Sequence, residues 1–170
     1  MSMLVWQAAR AKAQQITKSV PVVEDDGLNM LRFIAEQYGA IVRVHPLRAE
    51  VSGVIHKPDP NSSPVITINA TEPIARQRFT LAHEIGHLIE RTEIAEDRDY
   101  SFIDYRSSAD YDLHEFFADE FAGELLMPEP GFSDYYNQHG EFATSLKYSV
   151  SVPAVRKRRE RLVKNPAEAA

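Results

Sequence analysis

Apolar residues recur with the spacing of an α-helix along most of the chain. Four long helices are predicted from this spacing, over residues 3–17, 24–38, 72–90 and 112–127. Shorter helical segments are predicted near residues 133–148 and over residues 153–164. Ser151 suits the N-cap of the last helix, and Pro153 suits an early helical position, where its missing N–H is no loss. The pattern therefore predicts a mostly helical body.

Between the second and third helices the pattern changes to short, β-like apolar runs. They cover residues 40–44, 51–55 and 65–68. Pro46 and the turn-rich residues 57–64 separate them, which predicts a small antiparallel sheet of three strands on one side of an α+β fold. Residues 91–110 are polar, and we expect a long loop there that folds over a cleft.

Composition excludes several classes of site. The chain has no cysteine, which excludes disulfides and Cys-ligated metals, and its net charge of -6 opposes binding to nucleic acid or to anionic membranes. The N-terminus lacks the pattern of a signal peptide, and no apolar run approaches the roughly 18 residues of a membrane span. We therefore expect a soluble, cytoplasmic protein.

The segment His83-Glu84-Ile85-Gly86-His87 lies within the third predicted helix. Residues four apart share one helix face, so His83 and His87 can bind one Zn²⁺ ion through their imidazoles. Glu84 is turned about 100° from His83, where it can accept a proton from water at the metal. Gly86 allows another chain segment to approach closely.

The fourth predicted helix supplies a third ligand. Glu115 and Asp119 are four apart on a helix whose other faces are apolar, and inward-facing carboxylates need a cation or hydrogen bonds. We expect Glu115 to bind the metal and Asp119 to accept the N–H of a ligating histidine. Three protein ligands leave the fourth position for water, as in a catalytic zinc site. His114 is the rival third ligand, and without a metal these residues would form ordinary helix faces.

Three tyrosines lie in or beside the segment between the two predicted metal helices. Tyr100, Tyr105 and Tyr111 are each candidates to donate a hydrogen bond to the oxyanion of a tetrahedral intermediate. The sequence does not choose among them, and each is also a candidate for packing.

Two segments resemble the signatures of the ImmA/IrrE family of metallopeptidases. They are RQRFTLAHEIGH at residues 76–87 and EFFADEFAGELLMP at residues 115–128. The resemblance implies a zincin-like fold of the gluzincin type, zinc bound by His83, His87 and Glu115, and catalysis by Glu84. We expect one domain over residues 1–170, with a catalytic core at 22–128 and a helical segment at 131–165.

The resemblance also implies a biological role. Family members cleave regulatory proteins, often helix-turn-helix repressors encoded nearby, in phage, mobile-element or stress-response circuits, and related proteins act as toxins with repressor-type antitoxins. The chain departs from the family in the basic run at residues 156–161, whose charge we expect to prevent tight core packing. The alternative is a zinc-containing binding module, or a toxin-antitoxin component without proteolysis, with that run as a partner-binding or nucleic-acid-binding face.

Overall fold

The computed structural model describes residues 3–20, 27–94, 100–105 and 112–166. The helices in this part of the chain are α1 (Val5–Ser19), α2 (Asn29–Gln37), α3 (Ile74–Ile89), α4 (Leu113–Leu126), α5 (Gly131–Tyr148) and α6 (Val152–Lys164). The strands are β1 (Ile41–His45), β2 (Val51–Lys57), β3 (Val65–Asn69) and β4 (Tyr100–Tyr105). A π-helical turn at Glu90–Ile94 continues α3. The mostly helical α+β fold is confirmed.

The sheet differs from the prediction in both strand number and direction. Its order is β1-β3-β2-β4, with β1 parallel to β3 and with β2 antiparallel to β3 and β4. It is therefore a mixed sheet of four strands, and the prediction of three antiparallel strands was wrong. β3 lies between β1 and β2 and runs parallel to β1, an arrangement that a series of hairpins would not give. β4 comes from residues 91–110, so the prediction of one long loop there was also wrong.

Helix α3 lies at the centre of the fold. It packs against the sheet through β2 and β3, and its other sides pack against α2 and α4. Helix α4 in turn packs against α1. Every residue from Thr80 to Ile89 is buried. Ile55 and Ile66 are directly opposed across β2 and β3 and are fully buried on the sheet face that α3 covers. The two histidines and the glutamate of α3 are therefore placed inside the protein.

Several predicted helix ends are confirmed, but the predicted start of the second helix at residue 24 was wrong, because α2 begins at Asn29. Gly39 follows α2 with a φ of 75°, the left-handed conformation that ends many helices at glycine. The side chain of Ser151 accepts a hydrogen bond from the Ala154 N–H at 3.3 Å, as an N-cap should. α5 is divided by a kink at Gly140, where φ is 77°, so it contains the two shorter helical segments that were expected.

The basic helix α6 is docked, contrary to the prediction from its charge. Val155, Arg158 and Leu162 are its buried residues, and only 2% of Arg158 is exposed. Arg158 forms an ion pair with Glu124 of α4, which is also buried. The charge did not prevent packing because acidic side chains lie beneath it. No helix in the described ranges combines the length and the apolar character needed to cross a membrane.

Candidate metal centre

His83 and His87 occupy one face of α3 and meet at their outer nitrogens. The two Nε2 atoms are 3.1 Å apart, and the rings contact edge to face with their centroids at 4.7 Å. Both side chains are buried. This arrangement follows from the spacing of four residues, which places the two imidazoles one turn apart.

Glu115 completes the group from the first turn of α4. Its Oε2 atom lies 3.3 Å from Nε2 of His83, and its Oε1 atom lies 3.2 Å from Nε2 of His87. The side chain of Asp112 caps α4 by accepting hydrogen bonds from the backbone N–H groups of His114 and Glu115, at 2.8 and 3.0 Å. The cap fixes the start of the helix and thereby the direction in which Glu115 leaves it.

The three side chains fit a tetrahedral zinc ion. Zinc binds nitrogen and oxygen at about 2.0–2.1 Å, so two donors at the tetrahedral angle are separated by about 3.3 Å. The separations among His83, His87 and Glu115 are 3.1, 3.2 and 3.3 Å. Among the described residues these three form the group of histidine and acidic side chains that could hold a metal ion.

Asp119 lies behind the first histidine. Its Oδ1 atom is 3.0 Å from Nδ1 of His83. Since a carboxylate accepts, the hydrogen of His83 lies on Nδ1, and the lone pair of Nε2 faces His87 and Glu115. The buried carboxylate thus presents the correct nitrogen to a metal, in the arrangement expected for Asp119.

The charge states of the donors also suit a metal. The imidazoles of His83 and His87, which lie against its carboxylate, hold the pKa of Glu115 far below its ordinary value, despite its partial burial. Burial lowers the pKa of His87, although its hydrogen bond to Glu115 acts in the opposite direction. Around neutral pH the carboxylate is therefore ionised and this imidazole is neutral, the forms in which both groups bind metals.

Glu84 is fully buried beside the two histidines, against strand β2. A Cβ atom at Gly53 would lie 2.9 Å from Oε1 of Glu84 and 2.6 Å from Cγ2 of Thr80. Only glycine leaves room for the carboxylate at this position. Gly53 also lies at a register shift between β2 and β4, a typical location for glycine in a strand.

Comparison with known proteins identifies the domain. A family model described as the IrrE N-terminal-like domain, of the peptidase class, matches residues 35–160. The chain belongs to this family. The match covers most of the chain and confirms the resemblance found in the two sequence signatures.

The fold of this IrrE N-terminal-like domain also occurs among solved structures. A transcriptional regulator of Mycobacterium tuberculosis matches with a TM-score of 0.66 and 16% sequence identity. The match covers 96% of this chain and 49% of that protein, so the chain spans about half of its length. At this identity the likeness shows the fold alone. No curated protein matches the chain significantly.

The structure separates the two candidates for the third ligand of the IrrE-like domain. Nδ1 of His114 is 2.8 Å from Oε1 of Glu90, and the His114 side chain is 40% exposed. It is not part of the group formed by His83, His87 and Glu115. The geometry therefore favours Glu115 as the third donor.

The tyrosine prediction stays a prediction. Tyr111 lies outside the described residues, and for Tyr100 and Tyr105 only the backbone, in β4, is described.

Sequence reasoning missed two parts of the site in this domain. Gly53 was available as a signal, because an isolated glycine within a strand pattern suggests a close approach. The second part is a pair of cations on α6 that hold Asp119. Nζ of Lys157 lies 2.8 Å from Oδ2 of Asp119, and Nη2 of Arg161 lies 2.9 Å from the same oxygen. Burial alone would raise the pKa of Asp119, but its hydrogen bond to His83 and the Lys157 charge hold that pKa well below its ordinary value.

Proposed function

We propose that this domain is a zinc-dependent endopeptidase that makes a site-specific cut in a regulatory protein. The observation that carries the proposal is the triangle of donor atoms from His83, His87 and Glu115, with separations close to those around tetrahedral zinc. Glu84 lies next to His83 on the same helix, in a domain of a peptidase family. These features together support hydrolysis rather than a structural role for the metal.

Each side chain of the site has its own role in the proposed reaction. A bound zinc ion with three protein ligands would supply a Lewis acid and an open position for water. His83, His87 and Glu115 hold the ion, and Asp119 orients His83. Glu84 accepts the proton of the attacking water and later returns it to the leaving amine. Its burial against β2 keeps that proton away from bulk solvent.

The ligand set is tested by zinc content. We expect about one zinc per chain, lost in His83→Ala, His87→Ala and Glu115→Ala because each removes one of three donors. His114→Ala is the matched control, since it removes an adjacent side chain that is outside the group. Elemental analysis of the purified proteins measures this. Stoichiometric zinc in Glu115→Ala together with loss in His114→Ala would assign the third ligand to His114.

The role of Glu84 is tested by Glu84→Gln. The amide has the same shape but cannot accept a proton, so cleavage should fall by about 10²–10⁴-fold while zinc content is unchanged. Loss of zinc would instead make Glu84 part of the binding site. Full activity with full zinc would refute its role as general base.

For the substrate we propose a helix-turn-helix repressor or antitoxin encoded beside this chain, on the basis of the family resemblance. The purified domain is incubated with that regulator and separately with casein. One defined cut in the regulator, absent in Glu84→Gln, is the expected result. Rapid cleavage of casein at many sites would show a general protease and contradict the proposal.

The basic run of α6 gives little support to a nucleic-acid-binding function. Arg156 pairs with Glu141 of α5, Arg158 pairs with Glu124, and Arg161 pairs with Asp119. These partners neutralise the cations within the protein, which leaves less positive charge for phosphates.

A further inference from the structure

The two carboxylate oxygens of Asp119 serve different parts of the protein. Oδ1 lies 3.0 Å from Nδ1 of His83, on the metal side. Oδ2 lies 2.8 Å from Nζ of Lys157 and 2.9 Å from Nη2 of Arg161, both on α6. The carboxylate thus joins a donor of the metal centre to the last helix.

The cations that hold Oδ2 are well placed to anchor it. Lys157 and Arg161 are four apart on α6 and lie on one helix face. Arg161 also donates from Nη1 to Oε1 of Glu120 at 3.2 Å, and the other oxygen of Glu120 accepts from Nε of Arg10 at 2.8 Å. Asp119 is therefore part of an ion network that joins α1, α4 and α6.

We propose that Lys157 and Arg161 are positioning residues of the metal centre, which act by fixing Asp119 and through it the orientation of His83. The inference rests on the proposed zinc site. A carboxylate rotates easily about its last torsion, whose energy profile is broad. Two donors on Oδ2 restrict that rotation, so that Oδ1 stays on Nδ1 of His83 and Nε2 stays directed at the metal position.

The charge of Lys157 and Arg161 affects zinc affinity in the opposite direction to their positioning role. Removing a positive charge near the site makes the field there more favourable for Zn²⁺, so Coulomb's law alone predicts tighter zinc binding. Positioning predicts weaker binding, because His83 is released from its fixed orientation. The sign of the change therefore distinguishes the two effects.

The first test measures zinc affinity by competition with a chromophoric chelator. Lys157→Met and the double variant Lys157→Met/Arg161→Met are compared with the wild type. Arg156→Met is the matched control, because it removes the same charge from the same helix but from an exposed pair with Glu141. We expect about tenfold weaker binding in the double variant, the lower end of the range for residues that orient metal ligands, and a smaller loss in the single variant. Equal or tighter binding in the double variant would overturn the proposal.

Far-ultraviolet circular dichroism and urea unfolding check whether each variant is folded. Arg161 is 13% exposed and also contacts Glu120, so its removal is expected to cost stability. The Lys157 side chain is 50% exposed, and Lys157→Met should fold normally. The single variant alone is therefore sufficient to test the proposal if the double variant does not fold.

A second readout does not need zinc. Nitrogen-15 spectra of the zinc-free protein report which ring nitrogen of His83 carries the hydrogen. We expect the Nδ1–H tautomer in the wild type and a mixture of tautomers in Lys157→Met/Arg161→Met, with no change in Arg156→Met. An unchanged tautomer in the double variant refutes the positioning role, whereas absence of zinc binding by the wild type refutes the proposed function instead.

Discussion

The approach of helices α3 and α4 at Gly86 should control metal affinity, and Gly86→Ala tests this. A Cβ atom at Gly86 would lie 2.9 Å from Cα of Ala118, 3.2 Å from its carbonyl oxygen and 3.3 Å from its Cβ. The nearest of these atoms belong to the backbone, so no side chain can rotate away. The new methyl group must push α4 away from α3. This contact confirms the expectation that Gly86 allows another chain segment to approach closely.

The size of the displacement follows from these distances. Carbon atoms in ordinary contact are separated by about 3.5–4.0 Å, so α4 must move by about 0.6 Å or more at Ala118. Glu115 lies three residues before Ala118 on the same helix and moves with it. Metal-ligand distances tolerate deviations of about 0.2 Å, so the displaced carboxylate no longer completes the triangle with His83 and His87. We expect zinc to bind at least about tenfold more weakly, which is about 1.4 kcal/mol.

The effect on folding is smaller than the effect on the metal. Alanine favours a helix over glycine by about 1 kcal/mol, while overpacking of a core costs about 1–3 kcal/mol. The zinc-free variant should therefore lose about 0–2 kcal/mol in its free energy of unfolding, which urea denaturation measures.

Chelator competition measures the zinc affinity of Gly86→Ala beside a matched variant, Gly131→Ala. At Gly131, in the first turn of α5, the nearest atom to a new Cβ would be Oη of Tyr148 at 3.6 Å, an ordinary contact. Gly131→Ala should bind zinc like the wild type. If Gly86→Ala is folded and also binds zinc like the wild type, the reasoning on helix separation is refuted.

Two further predictions concern the buried ion pair and the general base. Arg158→Met removes a cation paired with buried Glu124 and should lower the free energy of unfolding in urea by about 3–5 kcal/mol. Arg156→Met removes a cation from an exposed pair and should leave the urea midpoint nearly unchanged. Equal small losses in the two variants would contradict a buried ion network. Gly53→Ala places a Cβ 2.9 Å from Oε1 of Glu84 and should displace this carboxylate. The rate of the defined cut should then fall at least about tenfold, while zinc content stays unchanged. An unaltered cleavage rate would show that the close approach of Gly53 to Glu84 does not matter for catalysis.

Much of the helical structure and the core of the site could be predicted because they depend on local spacing. The period of apolar residues located α3 and α4, and a separation of four residues placed His83 beside His87 whatever the rest of the fold. Glu115 was predicted from a physical requirement: a carboxylate on a largely apolar helix needs a cation. The structure places Glu115 and Asp119 on the side of α4 that faces α3, as this requirement suggests.

The sheet could not be predicted in the same way, because strand pairing is not local. The short apolar runs at β1, β2 and β3 indicate that each is a strand, but they do not show that β3 lies between the other two. β4 was missed because residues 91–110 were treated as one polar segment, although residues 100–105 (YSFIDY) carry the aromatic and β-branched side chains typical of a strand. An edge strand such as β4 has a neighbour on one side only, and its pairing to β2 uses backbone groups that any sequence supplies.

The charge of α6 shows how a physical rule applied to one helix alone can mislead. A run of five cations in six residues predicts a solvated face, and the buried acids of α4 predict a need for cations. Each is unfavourable alone, and each satisfies the other when the helices pack. Arg158 pairs with Glu124, while Lys157 and Arg161 pair with Asp119. Cations of α6 therefore compensate these buried carboxylates of α4, which do not contact the metal position. Because Asp119 also orients His83, pairing the two helices by charge would have connected the end of the chain to the metal centre.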